Sequence, residues 1–345
     1  MITRRYTVAF LTPAFLGDAN QNGHWRTPPF KHLLREWWRV AWAEEHGYPT
    51  DVSQMRAEEA RLFGAAADGA GTRSRVRLRL DRWGPGKAHR WPQDPPVFHP
   101  EVGKAGRKVG SHLYLGYGPL TYDRSSRGTK LKANAAIQSG ETAAFRMAFP
   151  DEDSALLDRA LGLMSAFGAV GGRSRNGWGS FELMDEKTAI APNSLPLRDW
   201  QDCLALEWAH AIGRDGQGAL VWRTGEFSDW RTLMQALAKI KIALRTRFRF
   251  HSGRNAQHPE DRHWLSYPVT HHNVRPWRNY RLPNALRFKV RKNENGKYYG
   301  VIFHMPCQPP AEFRPNRATL IRVWSAVHKF LDGPSGVERE KPCHP

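Results

Sequence analysis

The chain has 345 residues, with 52 Lys plus Arg against 33 Asp plus Glu and a formal net charge of +19. That length admits two domains with separate cores, and a field of that sign points to nucleic acid or another anionic surface as partner. No run approaches the roughly 18 apolar residues of a spanning helix, and Met1-Ile2-Thr3-Arg4-Arg5 carries no apolar signal core, so a soluble, cytoplasmic protein with no membrane partner is expected.

Tyr6 to Leu11 reads as a strand ended by Thr12-Pro13. After a loop through His24-Trp25-Arg26 comes a helix with Thr27 as N-cap and Pro28 at the first helical position, where a missing N–H costs nothing. Phe30, Leu33, Leu34, Trp37 and Ala41 recur at helical spacing and account for the core face. Lys31, Arg35 and Arg39 recur every four residues on another face; with Arg26 ahead and Trp38 and Trp42 beside them, they form a basic ridge read as an RNA contact. The ordinary alternative is a solvated face.

From Arg73 to Leu80, arginines at 73, 75, 77 and 79 alternate with Ser74, Val76, Leu78 and Leu80, which describes a strand with one arginine face. Four like charges in a row repel unless an anion or an acidic surface answers them. Residues 84–110 are rich in Pro, Gly and basic residues and read as an insertion, functional or disordered. His112 to Leu120 reads as a short strand and turn, Arg124 to Lys132 as a second basic loop, and Thr142 to Phe149 as a strand.

Asp153 to Phe167 has Leu156, Leu157, Ala160, Leu161 and Met164 on one helical face. It leads into Gly168-Ala169-Val170-Gly171-Gly172-Arg173-Ser174-Arg175-Asn176-Gly177-Trp178-Gly179-Ser180, followed by the alternating Phe181-Glu182-Leu183. Glycines let main-chain N–H groups approach a ligand without a Cβ between, and Arg173 and Arg175 supply charge and forked donors, so the loop is a candidate phosphate cradle. Its spacing fits neither a P-loop nor a dinucleotide fingerprint. A glycine-rich turn with two solvated arginines is the plainer alternative.

Periodicity lapses from Asp185 to Pro196, and a domain boundary is placed near 188–200. Beyond it, Trp230, Leu233, Met234, Leu237, Ile240 and Leu244 mark a core-facing helix that runs into the alternating arginines of Arg245 to Phe250. Ala285 to Val290 and Tyr298 to Met305 make a hairpin about Asn295-Gly296. Leu320, Val323, Trp324, Val327 and Leu331 mark a last helix, and the chain from Gly333 is polar and expected to be poorly ordered.

Cys203, Cys307 and Cys343 show no close pair, and His271-His272 has no third ligand at regular spacing, so no metal, cofactor or disulfide framework is expected. The 14 Trp residues, interleaved with arginines, suggest a surface that stacks bases and holds phosphates. Unpaired RNA suits such platforms better than duplex DNA.

Four stretches, Leu11 to Ala19, Arg35-Glu36-Trp37-Trp38-Arg39, Leu115-Gly116-Tyr117-Gly118-Pro119 and Gly171 to Gly179, resemble the first-subunit family of the Cmr complex, the type III-B CRISPR effector, within the RAMP superfamily. Beyond residue 200 the resemblance is carried by Leu282 to Val290. Two departures stand out: His32 where the family often has a small residue, and the 84–110 insertion. The resemblance implies a noncatalytic subunit that contacts crRNA toward its 3′ end and the 5′ part of the target RNA, among other CRISPR effector subunits, while a different subunit cuts the target.

The expected fold is α+β: two tandem ferredoxin-like (RRM-like) domains, residues 1–190 with the 84–110 insertion and 200–333, followed by a flexible tail at 334–345. The expected RNA-binding residues are Arg26, Lys31, Arg35, Trp38, Arg39, Gly171, Gly172, Arg173, Ser174, Arg175, Asn176, Gly177, Trp178 and Gly179, with Trp178 or Trp38 stacking a base. The enzymatic alternative is a metal-independent endoribonuclease that processes CRISPR transcripts, for which only His24 or His32 is placed to act as base. A purely structural cap is a third reading.

Overall fold

The structure, a computed structural model, describes residues 1–66 and 71–340. Strand β1 (Ile2–Phe10) starts four residues before the expected Tyr6 and turns Val8 and Phe10 inward. Helix α1 (Pro28–Glu45) buries Phe30, Leu33, Leu34, Trp37 and Ala41 as its periodicity requires. Thr27 sits at the N-cap but makes no side-chain cap: its backbone is already helical, at φ −75° and ψ −32°, whereas a capping hydroxyl needs an extended backbone.

Helix α2 (Ser53–Phe63) follows, then β2 (Arg77–Leu80). The 84–110 insertion contains a hairpin of β3 (Pro96–His99) and β4 (Arg107–Gly110). It packs on the second half of the chain, where Gln235 Nε2 donates to Pro96 O at 2.7 Å. The segment read as a strand at His112 is instead helix α3 (Ser111–Gly116). The Asp94 carboxylate accepts from the N–H groups of His112 and Leu113 at 2.7 and 2.9 Å, capping the helix from seventeen residues upstream. Strands β5 (Leu120–Asp123) and β6 (Gly128–Leu131) pair across the second basic loop.

Strand β7 (Thr142–Phe149), helix α4 (Ser154–Phe167) and strand β8 (Phe181–Asp185) complete the first half. The sheet order is β2-β7-β1-β8, all antiparallel, with a two-residue β9 (Thr188–Ala189) beyond β8. With α1 and α4 joining β1 to β2 and β7 to β8, this is a ferredoxin-like βαββαβ unit.

After β10 (Leu197–Asp199), β11 (Ile212–Asp215) and β12 (Gly218–Ala219), the same plan recurs. Strand β13 (Val221–Thr224), which the sequence pattern does not mark, leads to α5 (Trp230–Thr246), whose last turn takes in Arg245 and Thr246. Past the short pair β14 (Asn255–Ala256) and β15 (Asn273–Val274) comes the expected hairpin, β16 (Leu286–Lys292) and β17 (Tyr298–His304), with Gly296 at φ +71°. Helix α6 (Arg317–Asp332) then leads to β18 (Val337–Arg339). The sheet order β16-β17-β13-β18 repeats that of the first half.

Strand β18 overturns the expectation of a loose tail up to residue 340. Trp222 pairs with Arg339, whose guanidinium bonds the carboxylates of Asp215 and Asp332 at 2.5 and 2.8 Å. Cys343 lies outside the described residues.

The two cores interlock. Ile212, Val221, Val301 and Phe303 of the second half belong to the cluster that fills the first sheet and its helices. Trp178 of the glycine loop and Leu115 of α3 belong to the cluster under the second sheet. Trp37 shows the joint directly, its ring lying 5.9 Å from Phe167 and 6.4 Å from Phe303.

Candidate nucleic-acid interface

The glycine loop is the hinge pin of this joint. Its turn runs from Arg173 to Gly177, closed by Asn176 N to Arg173 O at 2.9 Å and Gly177 N to Ser174 O at 3.1 Å. Strand β16 is an edge strand, and its outward N–H groups are answered by the loop and by β8. Phe288 N donates to Arg175 O at 3.1 Å, Val290 N to Ser180 Oγ at 2.9 Å and Lys292 N to Glu182 Oε1 at 3.2 Å. An exposed sheet edge is thereby covered. Lys289, fully buried, reaches from β16 to the carbonyl oxygens of Gly168 and Phe181.

The glycines answer to the protein's own backbone. A Cβ on Gly171, which sits at φ +93°, would come within 2.6 Å of Phe15 O, and one on Gly179, at φ +67°, would collide with Val170 O. Gly172 N donates to Phe15 O and Gly179 N to Pro13 O, so those donors are not free for a phosphate. The N–H groups of Arg173, Ser174 and Arg175 have no acceptor among the described residues. Arg173 Nε donates to Tyr117 O at 2.6 Å, Arg175 Nη1 to Asn284 O at 2.9 Å, and Asn176 Nδ2 to Leu115 O at 2.7 Å while its Oδ1 takes Lys241 Nζ.

Both candidate stacking platforms are corrected by burial. Trp178 and Trp38 are fully buried. Trp178 packs against Phe15, Trp91 and Trp230, and Trp38 edges onto Phe63 at 5.8 Å. Trp42, read as flanking an exposed ridge, is buried too. Of all the tryptophans only Trp83 is exposed, at 69 %, and Trp38, Trp42 and Trp178 belong to the core and offer no stacking surface.

The ridge itself is largely neutralised. Arg35 and Arg39 converge on Glu59, a buried carboxylate of α2, with Arg39 at 2.6 Å. Lys31 Nζ donates to Ser74 Oγ at 2.6 Å, and burial followed by repulsion from Arg35 lowers its pKa. Arg26 donates to Gly17 O at 2.6 Å. No acid interrupts the ridge in the sequence of α1 except Glu36, and the answering charge comes from a different helix.

What the fold does assemble is a cleft of about 240 Å³ between α1 and the second half of the chain. Glu36, Trp37 and Arg39 line it from α1, Arg175 from the glycine loop, Glu207 and Trp208 from the connection, and Arg287 from β16, with Trp264, Cys307 and Trp324 completing the wall. Arg175 and Arg287 take part in no ion pair among the described residues. Burial, then repulsion from Arg287, pushes Arg175 down to about 10, and burial lowers Arg287 against the pull of Glu36. The N–H groups of Arg287 Nε, Trp37 Nε1 and Trp208 Nε1 are buried without an acceptor among the described residues. Unpaired donors and half-buried cations are costly, and their concentration beside an open cavity is a mark of a binding site.

Of the expected residues, then, the cleft unites only Arg39 and Arg175. Arg287 was available to sequence reading, since the alternation of Leu282 to Val290 sets it on one face with Lys289. Glu207 and Trp208 carried no signal. His24 and His32 lie outside the cleft; His32 is exposed and pairs with Glu36 at 3.7 Å. Among the described residues no three His, Cys, Asp or Glu side chains cluster as metal ligands, and no helix is long and apolar enough to cross a membrane.

No protein of curated function matches the chain. Among solved structures it is similar to Cmr1 from Pyrococcus furiosus in its apo form, at 16% identity, with 95% of this chain and 97% of that chain covered and a TM-score of 0.47. Two chains from cryo-EM structures of the type III-B Cmr-beta complex bound to cognate target RNA are 10% and 12% identical. They cover 93% and 94% of this chain and 98% and 99% of their own length, with TM-scores of 0.48 and 0.49. The RAMP superfamily model matches residues 7–182, just over half of the chain and the stretch from β1 to β8, and the chain belongs to the RAMP superfamily.

Proposed function

We propose that this chain is a noncatalytic RNA-binding subunit of a type III CRISPR ribonucleoprotein effector, contacting crRNA toward its 3′ end and the target RNA beside other effector subunits. One observation carries the RNA part: Arg175 and Arg287, two guanidiniums without carboxylate partners, line an indole-walled cleft at the end of the glycine loop. Phosphate oxygens would supply the missing acceptors, and an unpaired base is a flat group of the kind that such a wall accepts. The net charge of +19 supports a polyanionic partner. Membership of the RAMP superfamily and the resemblance to the first Cmr subunit support the effector setting.

The test is the salt dependence of affinity for single-stranded RNA. In the Arg175→Gln/Arg287→Gln double variant the slope of log affinity against log salt should fall by about 1.4, at roughly 0.7 per phosphate contact. An unchanged slope in a folded variant would remove the cleft from the RNA path.

The reading gives the chain no catalytic group. General-base chemistry at a 2′-OH needs a positioned base beside the bound strand, and neither His24 nor His32 lines the cleft. Labelled CRISPR-repeat RNA should stay intact on incubation with the protein, with or without divalent metal. A 2′,3′-cyclic phosphate product that disappears on His24→Ala or His32→Ala would replace this reading with the processing endonuclease.

A further inference from the structure

The alternating arginines of β2 are not absorbed by the cleft, and the sheet register shows what they belong to. Arg79 pairs with Arg146 of β7, and Arg146 pairs with Arg5 of β1, so three arginines stand in one row across three strands. Arg77 stands two residues from Arg79 on the same face, roughly 7 Å along the strand, and the row spans roughly 10 Å. This face is the one turned away from α1 and α4, and all four side chains are exposed. Among the described residues none of the four makes an ion pair or a side-chain hydrogen bond.

The carboxylates nearby are engaged elsewhere. Asp81 Oδ1 accepts from Ala144 N at 2.8 Å, Glu182 is buried and accepts from Lys292 N, and Glu152 pairs with Arg75 at 2.9 Å. Like charges directly opposite in a sheet destabilise it. One anion bridging the row would answer all three charges at once.

We propose that this open face docks the sugar–phosphate backbone of base-paired RNA, a surface separate from the cleft; the proposal rests on the RNA-binding reading of the chain. The companions of the arginines decide the partner. Thr3, Thr7 and Thr142 are exposed on the face, with Ala144 and Ala148 between them, and no aromatic side chain of β1, β2 or β7 points that way. Readers of single strands stack bases on aromatics; a duplex shows only phosphates, 2′-hydroxyls and shape, which arginine forks and threonine hydroxyls suit. A protein partner would be expected to meet an apolar, aromatic core to the interface, and this face has none.

The full-length chain is titrated with a 20-base-pair RNA duplex, with one of its strands alone, and with polyglutamate, across 50 to 200 mM salt. Arg79→Gln/Arg146→Gln should lower the duplex slope by about 1.8, at roughly 0.9 per contact, so that over this range the variant loses about twelvefold less affinity than the unmodified chain. Its slope for the single strand should stay unchanged. Arg175→Gln/Arg287→Gln should show the reverse. If the cleft variant responds and the face variant leaves the duplex slope intact, this proposal falls and the cleft reading stands. If neither variant changes any slope, the RNA reading itself fails. Should the face variant keep its RNA slopes but lose polyglutamate, the face belongs to an acidic protein and the proposal is overturned.

Discussion

Arg175 and Arg287 in the cleft, and Arg5, Arg79 and Arg146 on the open sheet, are both sets of guanidiniums without carboxylate partners, yet they sit in opposite surroundings. The cleft pair is walled by Trp37, Trp208, Trp264 and Trp324 and is tied to the joint between the two ferredoxin-like units. The sheet row stands in solvent among threonines and alanines. A cation in a low-dielectric wall repels its neighbour far more strongly than one in water, which is why burial and Arg287 together depress Arg175. The same residue type is therefore expensive for folding in one region and nearly free in the other, and the two regions should respond to substitution by different amounts.

The largest effect belongs to the wall. Trp37→Ala empties a position that touches Phe167 of α4 and Phe303 of β17, and should destabilise the chain by about 3–5 kcal/mol in denaturant unfolding. A well-folded Trp37→Ala protein that merely binds RNA poorly would put the indole on the ligand side and not in the core.

Next comes the charge in the wall. Arg287→Met removes a cation whose Nε has no acceptor and should raise stability by about 1–2 kcal/mol while weakening RNA binding, the trade expected where function holds an unpaired charge in place. Loss of stability would mean that Arg287 has a protein partner and that the two regions differ little in the cost of their cations.

A pH scan sharpens the contrast, because the joint holds two lysines that titrate early. Burial pushes Lys289 down to about 7 against the pull of Glu182, and burial with repulsion from Arg245 and Arg173 pushes Lys241 down to about 7. An unfolded lysine releases its proton near 10.4, so between about 7 and about 10.4 the unfolded chain holds a proton that the folded one lacks. Stability from each group therefore rises with pH across that window and is least at its lower end. Comparing unfolding free energies of the unmodified chain and Lys289→Met from pH 7 to 10 should show the rise reduced in the variant. Parallel curves would mean that Lys289 keeps an ordinary pKa.

The smallest effect lies on the open face. Arg146→Thr relieves repulsion from both neighbours in the row and should stabilise by a few tenths of a kcal/mol to about 1, more at low salt than at high. No salt dependence would indicate that the three charges are already answered within the protein.

Elements whose signal is local were legible from the chain alone. The core faces of α1, α4, α5 and α6 follow from helical spacing, and the β16–β17 hairpin from Asn295-Gly296. Helix α3 was not, because its start is set by Asp94, distant in sequence. Strand β13 is four residues long with no alternation to mark it.

The basic ridge looked free because Glu59 is supplied by α2, and Trp38 and Trp178 looked exposed because a cationic neighbour in sequence says nothing of depth. The cleft combines α1, the glycine loop, the 207–209 connection and β16, and no spacing rule joins those four. Of the arginine row, only the β2 members were visible; Arg5 and Arg146 enter through strand register.

The most direct test is photocrosslinking of the full-length chain to single-stranded RNA carrying 4-thiouridine, with the crosslinked peptides mapped by mass spectrometry. Crosslinks within 207–209, 282–287 and 305–310, segments that wall the cleft opposite α1, are expected and should disappear in Arg175→Gln/Arg287→Gln. RNA that binds with undiminished affinity yet crosslinks only outside the cleft would contradict the assignment of the buried arginines to RNA recognition.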